Sequence, residues 1–490
     1  MPAPDGAALV RRLAAGAGDR GLADGRHTVS YAEAPRLLDA IDARCARAGV
    51  TGRQPLALEC SQSVAGALAL LWVLSRGHDA VLLPELAAAS KEAGTPRFIP
   101  GFCAHVVTAS ASLAQRAETP EAGIVVAANA DFVAEPAIAA FCGPDLYLRT
   151  SGSTGTPKLT RMSHRKWLDN ALACVDRWQL TAADRLSVPV PIFHSYGFGA
   201  AFLPGLLAGA AMDVGSGGNV LRYVEREERF VPNVGFLTPA LCEAFLSVRK
   251  GRRPYRLAVT AGDKIKRETV AGLEPRFGPL LNLYGSAEMG AVSAASPEDP
   301  AAVRLGTAGY PLAGVELRVE ETGEGLEAAP GEAAGRLHCR HANGSDGYLV
   351  LEQGGARFEP RVDGEWFETG DLAKIRADGY VEILGRSGLS VKRDGLLVMF
   401  ADVEAAVERV EGVQRAVVVA AGESRRGARL VAVCMMDRDG ETLPPDAVRR
   451  RCFELLPRYA VPDEVAIVDS LPHLPSGKVD RRAVRDLVAR

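Results

Sequence analysis

The chain has 490 residues, with 57 Lys plus Arg against 60 Asp plus Glu, a formal net charge of −3 and 47% hydrophobic residues. That length gives a prior of roughly three domains, and the composition excludes disorder as the main state. The charge balance excludes the strongly basic footprint of a polyanion binder, and no apolar run reaches the ~18–20 residues of a spanning helix.

Short apolar runs alternate with amphipathic stretches. Residues 64–75 are predicted as a core helix and 79–83 as a strand. A strand follows at 124–128 and a short helix at 136–141. A strand at 186–190, a helix at 200–208 and a strand near 211–214 come next, with buried strands at 257–261 and 281–283. Strand and helix in repetition argue for α/β layers. After about residue 300 glycine and proline become dense, and short strands dominate at 315–319, 337–339 and 380–384. Residues 321–335 are predicted as a loop or hairpin tip. A third segment from Gly385 carries a helix at 402–409, strands at 416–420 and 430–435, a helix at 445–456 and a strand at 464–468. The expected architecture is a large layered α/β domain over residues 1–385, with a β-rich subdomain at about 300–385. A small, mobile α+β domain follows at 386–490, with the boundary at Gly385–Ser390.

The nine cysteines are odd in number and scattered, without a C-x-x-C pair. They are expected to be buried, reduced thiols of a cytoplasmic protein. Met1-Pro2-Ala3-Pro4-Asp5 lacks a basic stretch followed by an apolar one, so no signal peptide is expected. The His338-Cys339-Arg340-His341 cluster is expected to hold no metal, because residues 338 and 341 of a strand face opposite ways.

The most informative stretch is Tyr147-Leu-Arg-Thr-Ser-Gly-Ser-Thr-Gly-Thr-Pro-Lys158. Glycines let backbone N–H groups approach an oxyanion closely, and hydroxyls and a lysine add donors, which suits a polyphosphate. It departs from the Walker spacing: Pro157 stands where a second glycine belongs, and Leu159 follows Lys158.

Thr150–Lys158 resembles the phosphate loop of the adenylate-forming superfamily of acyl- and aryl-CoA synthetases, adenylation domains and luciferases. Four further stretches resemble its motifs in the same order: Asn282–Gly290, Glu365–Leu372, Gly385-Arg386 with Lys392 and Gly395, and Leu474–Arg481. The resemblance implies that a carboxylate attacks the α-phosphate of ATP to give an acyl-AMP, from which a thiol displaces AMP. It implies that Thr150, Ser151, Gly152, Ser153, Thr154, Gly155 and Lys158 cradle the phosphates and that Glu288 holds Mg2+. Tyr284, with Gly285 and Ser286, would flank adenine, and Asp371 would accept from the ribose hydroxyls with Arg386 beside it. Lys478 would bind the carboxylate and the α-phosphate. His194, Ser195 and Tyr196 in Pro191–Gly199 resemble the family's gate to the acyl tunnel, with Gly262 and Asp263 bordering the pocket. Leu237–Ala240 resembles the helix start along it. Ser387 and Gly388 would serve the hinge.

Amino-acid-activating members carry an Asp at the gate to bind the substrate ammonium, where this chain reads Phe193-His194-Ser195-Tyr196. An ammonium there would be buried unpaired, which is costly. The resemblance therefore implies an acid lacking an α-amino group, aromatic or of medium chain length. The acceptor would be CoA or the phosphopantetheine of a carrier protein acting in trans, since no carrier segment follows Arg490. The lysine loop is closer to natural-product adenylation enzymes of secondary metabolism, the gate to CoA ligases. Gly388 and Leu389 replace the usual polar hinge pair, Ser286 the usual Thr, and Phe400 a common Pro. The rival reading is a non-thiolating protein of this fold, an acyl-AMP-forming oxygenase or a regulatory binder. Neither nucleic acid nor membrane is expected as a partner.

Overall fold

The structure is a computed structural model. It describes residues 2–489 apart from 17, 51–53, 86–97, 118, 136–137, 139–140, 142, 150–157, 217, 322–325, 327, 353–354, 363, 394–395, 426, 438–442 and 474–478. The chain divides into two compact units. The first comprises Met1–Glu316 with Cys339–Trp366, the second Leu317–His338 with Phe367–Arg490. Compactness thus gathers the small β-sheet after residue 316 with the C-terminal segments.

The first unit holds two large sheets. One has nine strands, whose parallel centre runs Leu280–Ser286, Leu257–Thr260, Val234–Leu237, Arg185–Ser187, Ala211–Asp213 and Gly21–Ala23. Antiparallel strands close both of its edges. The other has eight strands, with a parallel core of Asp145–Arg149, Ala80–Pro84, Leu56–Cys60 and His105–Ala109. Parallel strands covered on both faces read as continuous apolar runs; the predicted strand at 79–83 is one of these four, whereas Leu56–Cys60 and His105–Ala109 were not predicted as strands.

The Val64–Arg76 helix is buried on all sides from Val64 to Ser75. Ser63 caps its start by accepting from Gly66 N, and Gly77 ends it in the left-handed region. The predicted strand at 186–190 is shorter, Arg185–Ser187, because Pro189 and Pro191 remove ladder donors. The helix predicted from residue 200 starts earlier, as a π-helix over Tyr196–Phe202 that continues as Leu203–Ala208. The predicted helix at 136–141 lies largely outside the described residues. The eight described cysteines are free and buried, and no helix of the described residues is long and apolar enough to cross a membrane.

The second unit holds most of a four-stranded sheet, ordered Val315–Glu320, Ala333–His341, Phe367–Ile375 and Val381–Arg386. It also holds a five-stranded sheet built on the Val413–Ser424/Gly427–Met436 hairpin. The Phe400–Val407 and Pro445–Leu455 helices pack into one apolar cluster with that hairpin. Phe400 occupies the first helical turn, where Pro is tolerated, and its ring is buried in the cluster. Arg393 is fully buried, donating to Asp463 Oδ1 at 2.8 Å and Val461 O at 3.0 Å.

Candidate active site

In an open α/β sheet the strands' carboxyl ends are where side chains can converge on a ligand. Three predicted segments lie there in the first unit: the loop after Arg185–Ser187, the loop after Leu257–Thr260, and the turn closing Leu280–Ser286.

That turn carries Glu288. The Leu280–Ser286 strand pairs antiparallel with Gly290–Ala294, with a bulge between Tyr284 and Gly285. A Cβ on Gly285 would meet Gly290 O at 2.3 Å, so the hairpin closes only around glycine. Ser286 Oγ accepts from Met289 N at 3.1 Å, which is the use the turn makes of the hydroxyl predicted there. Ser345 N donates to Glu288 O at 2.6 Å. Burial holds the His341 imidazole below its ordinary pKa, so the neutral ring donates from Nδ1 to Met289 O at 3.1 Å. The Glu288 carboxylate itself accepts from the Tyr348 hydroxyl at 3.1 Å. Burial, with the Glu288 charge beside it, pushes the Tyr348 phenol far up and keeps it a donor.

Lys158 reaches the same tyrosine from the other side. It opens the Lys158–Ser163 strand, which pairs antiparallel with Gly347–Glu352. Its ammonium lies 5.5 Å from the centre of the Tyr348 ring and 3.4 Å from Glu359 Oε2. Arg357 holds the other Glu359 oxygen at 2.8 Å. The Arg357 hydrogen bond first, then Lys158, keeps the Glu359 carboxyl below its usual range. Tyr348 and Glu359 escaped the sequence reading; the signal was the apolar run Tyr348-Leu-Val-Leu351 before Gln353-Gly-Gly, a hairpin pattern.

At the gate, His194 is exposed, its ring 4.8 Å from that of Phe193, and Ser195 is half-buried. Tyr196 donates its hydroxyl to Val259 O at 2.9 Å and Leu237 O at 3.2 Å, tying the π-helix to two strand ends. Burial raises its pKa far above the ordinary value. Gly262 has φ +94 with open space where a Cβ would point, and the exposed Asp263 accepts from Lys264 N at 2.8 Å. Thr238 caps the Pro239–Val248 helix by accepting from Leu241 N, as the Leu237–Ala240 motif implies.

In the second unit Asp371 stands directly across the ladder from Arg386. Arg386 Nε lies 3.0 Å from Asp371 Oδ1; the carboxylate is 8% and the guanidinium 59% exposed. Thr369 Oγ1 accepts from Asp371 N at 3.1 Å, and Thr369 O accepts from Arg386 at 3.1 Å. Ser387–Leu389 forms a single 3-10 turn, with Ser387 Oγ donating to Gly370 O.

Thr150, Ser151, Gly152, Ser153, Thr154, Gly155 and Lys478 lie outside the described residues, as does the side chain of Lys392. Among the described residues no group of three or more His, Cys, Asp and Glu could hold a metal. In the first unit the predicted Lys158 and Glu288 come together around one tyrosine. His338 faces Glu320 at 3.2 Å, whereas His341 faces Met289.

The family described as AMP-binding enzyme matches residues 144–349, and the AMP-binding enzyme C-terminal domain matches residues 402–478, together more than half of the chain. A 3-[(3aS,4S,7aS)-7a-methyl-1,5-dioxo-octahydro-1H-inden-4-yl]propanoyl:CoA ligase of Rhodococcus jostii is 29% identical over 69% of this chain and 64% of its own length. An indoleacetate–CoA ligase of Aromatoleum aromaticum is 28% identical over 71% of this chain and 68% of its own length. The chain thus spans about two-thirds of the length of such relatives. The o-succinylbenzoate CoA synthetase of Bacillus subtilis, solved with its acyl-adenylate OSB-AMP, has the same fold, with a TM-score of 0.78 at 19% identity over 99% of both chains. The two matched domains, in the order of the motifs they contain, make this chain a member of the adenylate-forming superfamily of AMP-binding enzymes.

Proposed function

We propose that this chain is an AMP-forming acid–thiol ligase. It activates a carboxylic acid lacking an α-amino group as acyl-AMP and passes the acyl group to the phosphopantetheine thiol of CoA or a carrier protein. The observation that carries the reading is the meeting of Lys158 and Glu288 around Tyr348, a cation for phosphates beside a carboxylate for a metal. Mg2+ bound with a nucleotide takes one or two carboxylates, substrate phosphates and water rather than an all-protein cage. A single Glu288, with no cation paired to it among the described residues, fits that demand. Magnesium neutralises phosphate charge when bound. The chain's own part is to orient the triphosphate with Lys158 and the Thr150–Gly155 loop and to hold ribose on Asp371 beside Arg386. Lys478 meets charge shifting to the α-phosphate. Ser387 and Gly388 serve as the hinge of a C-terminal domain that begins at residue 386.

The gate supports the substrate class. His194 and Ser195 offer no carboxylate to an ammonium, and Gly262 leaves room beside Asp263. The names of two relatives, an indoleacetate–CoA ligase and a medium-chain fatty-acid–CoA ligase, support an acid that is aromatic or of medium chain length. A carrier protein as an alternative acceptor partner, a cytoplasmic setting and a place in secondary metabolism complete the proposal. The test incubates the protein with ATP, Mg2+, a panel of acids and either CoA or a carrier protein, and reads products by mass spectrometry. AMP and a thioester with at least one acid are expected; their absence with every acid and acceptor would sink the proposal.

A further inference from the structure

We infer that Tyr348 and Glu359 are positioning residues that set how Lys158 and Glu288 meet a nucleotide, Tyr348 as the support shared by both and Glu359 as an internal competitor for the lysine. This rests on the proposed ATP site. The sheet register makes the arrangement: Tyr348 pairs with Thr160 on one side and Glu359 on the other, and Lys158 pairs with Val350. Side chains two apart share a face, so Lys158, Tyr348 and Glu359 emerge together. The hydroxyl of Tyr348 fixes the Glu288 carboxylate, and its ring supports the ammonium. A neutral hydroxyl holds Glu288 in place without cancelling its charge, so the carboxylate stays available to a cation. Glu359 acts in the opposite sense. Arg357 anchors one of its oxygens, and the other holds Lys158. A triphosphate must share or displace that carboxylate, and it meets an added negative charge in doing so.

The two residues therefore give effects of opposite sign, which a merely structural role would not. ATP binding is measured by isothermal titration calorimetry, with EDTA and with MgCl2, for wild type, Glu359→Gln and Tyr348→Phe. Glu359→Gln is expected to bind ATP about threefold to tenfold tighter in EDTA at low salt, with the gain shrinking as salt is raised. Tyr348→Phe keeps the ring and removes the hydrogen bond to a charged group; its half-saturating Mg2+ should rise about tenfold, with metal-free ATP affinity unchanged. Equal or weaker ATP binding by Glu359→Gln overturns the competitor role, and an unchanged Mg2+ requirement in Tyr348→Phe overturns the support role. If Tyr348→Phe fails to fold, the sign of the Glu359→Gln effect decides alone. Wild-type protein that binds no ATP removes the proposed site and this inference with it; wild type that binds while both variants match it removes this inference only.

Discussion

The two units each present one acid at a predicted nucleotide contact, the half-buried Glu288 and the buried Asp371, and the two acids are held differently. Glu288 in the first unit is fixed by a neutral hydroxyl, with no cation paired to it among the described residues. Asp371 in the second is fixed by a guanidinium directly across a β-ladder. A carboxylate held by a neutral donor keeps its full charge for a metal. One already paired to a cation has that charge offset and is better suited to accept hydrogen bonds from neutral hydroxyls. The difference in partner thus matches the difference in proposed ligand, magnesium against ribose.

The sharpest way to break this division uses the residue that belongs to neither pair. We predict that Lys478→Ala lowers ATP–pyrophosphate exchange by about a hundredfold or more, the scale of losing a preorganised charge contact, while transfer from a preformed acyl-adenylate to the thiol continues. Equal loss in both half-reactions would contradict a lysine that serves adenylation alone. Glu288→Gln should follow, with kcat for exchange down about a hundredfold and added Mg2+ unable to restore it. A full rescue at high Mg2+ would make Glu288 a binding group and not one needed in the transition state. Asp371→Asn keeps the shape and loses the charge; KM for ATP should rise about tenfold, the worth of one charge-assisted hydrogen bond, with KM for the acid unmoved. A change confined to the acid would refute the ribose role.

A third carboxylate calibrates the comparison, because it belongs to neither predicted nucleotide contact. Burial raises the Asp79 carboxyl to about 6, although it accepts from Asp145 N at 2.7 Å. An acid whose folded pKa lies above its unfolded value of 3.8 favours the fold below that value and loses the advantage as pH rises through about 6. Asp79→Asn retains an acceptor for Asp145 N and removes the charge. It should therefore be more stable than wild type at pH 8 by about 1 kcal/mol after discounting for solvent, and indistinguishable from it at pH 4. Thermal denaturation at both pH values reads this; a gain at pH 4 as large as at pH 8 would mean that the charge is irrelevant.

Legibility followed the distance over which information travels. The Val64–Arg76 helix and the Ile124–Ala128 strand could be read almost to the residue, because an uninterrupted apolar run bounded by Ser63 and Gly77, or by turn residues, is a local signal. The strand near residue 186 was overread because the apolar pattern continues while Pro189 and Pro191 silently end the ladder. The π-helix over Tyr196–Phe202 was missed in pitch, and its packing partner is distant along the chain: a Cβ on Gly199 would strike the Trp167 ring. Similarly, Tyr348 stands 60 residues from Glu288, and Glu359 stands 201 from Lys158. No window along the chain contains either pair.

The sequence by itself determined the ordered motifs and the layered α/β class, since these depend on composition and spacing along one strand of chain. Only the tertiary structure decided which groups those residues answer to. Antiparallel pairing of Lys158–Ser163 with Gly347–Glu352 brings a tyrosine under a lysine. The ladder between Phe367–Ile375 and Val381–Arg386 sets Arg386 against Asp371. Pairing register is a property of two segments at once, and it selects the partner that gives each charged side chain its strength.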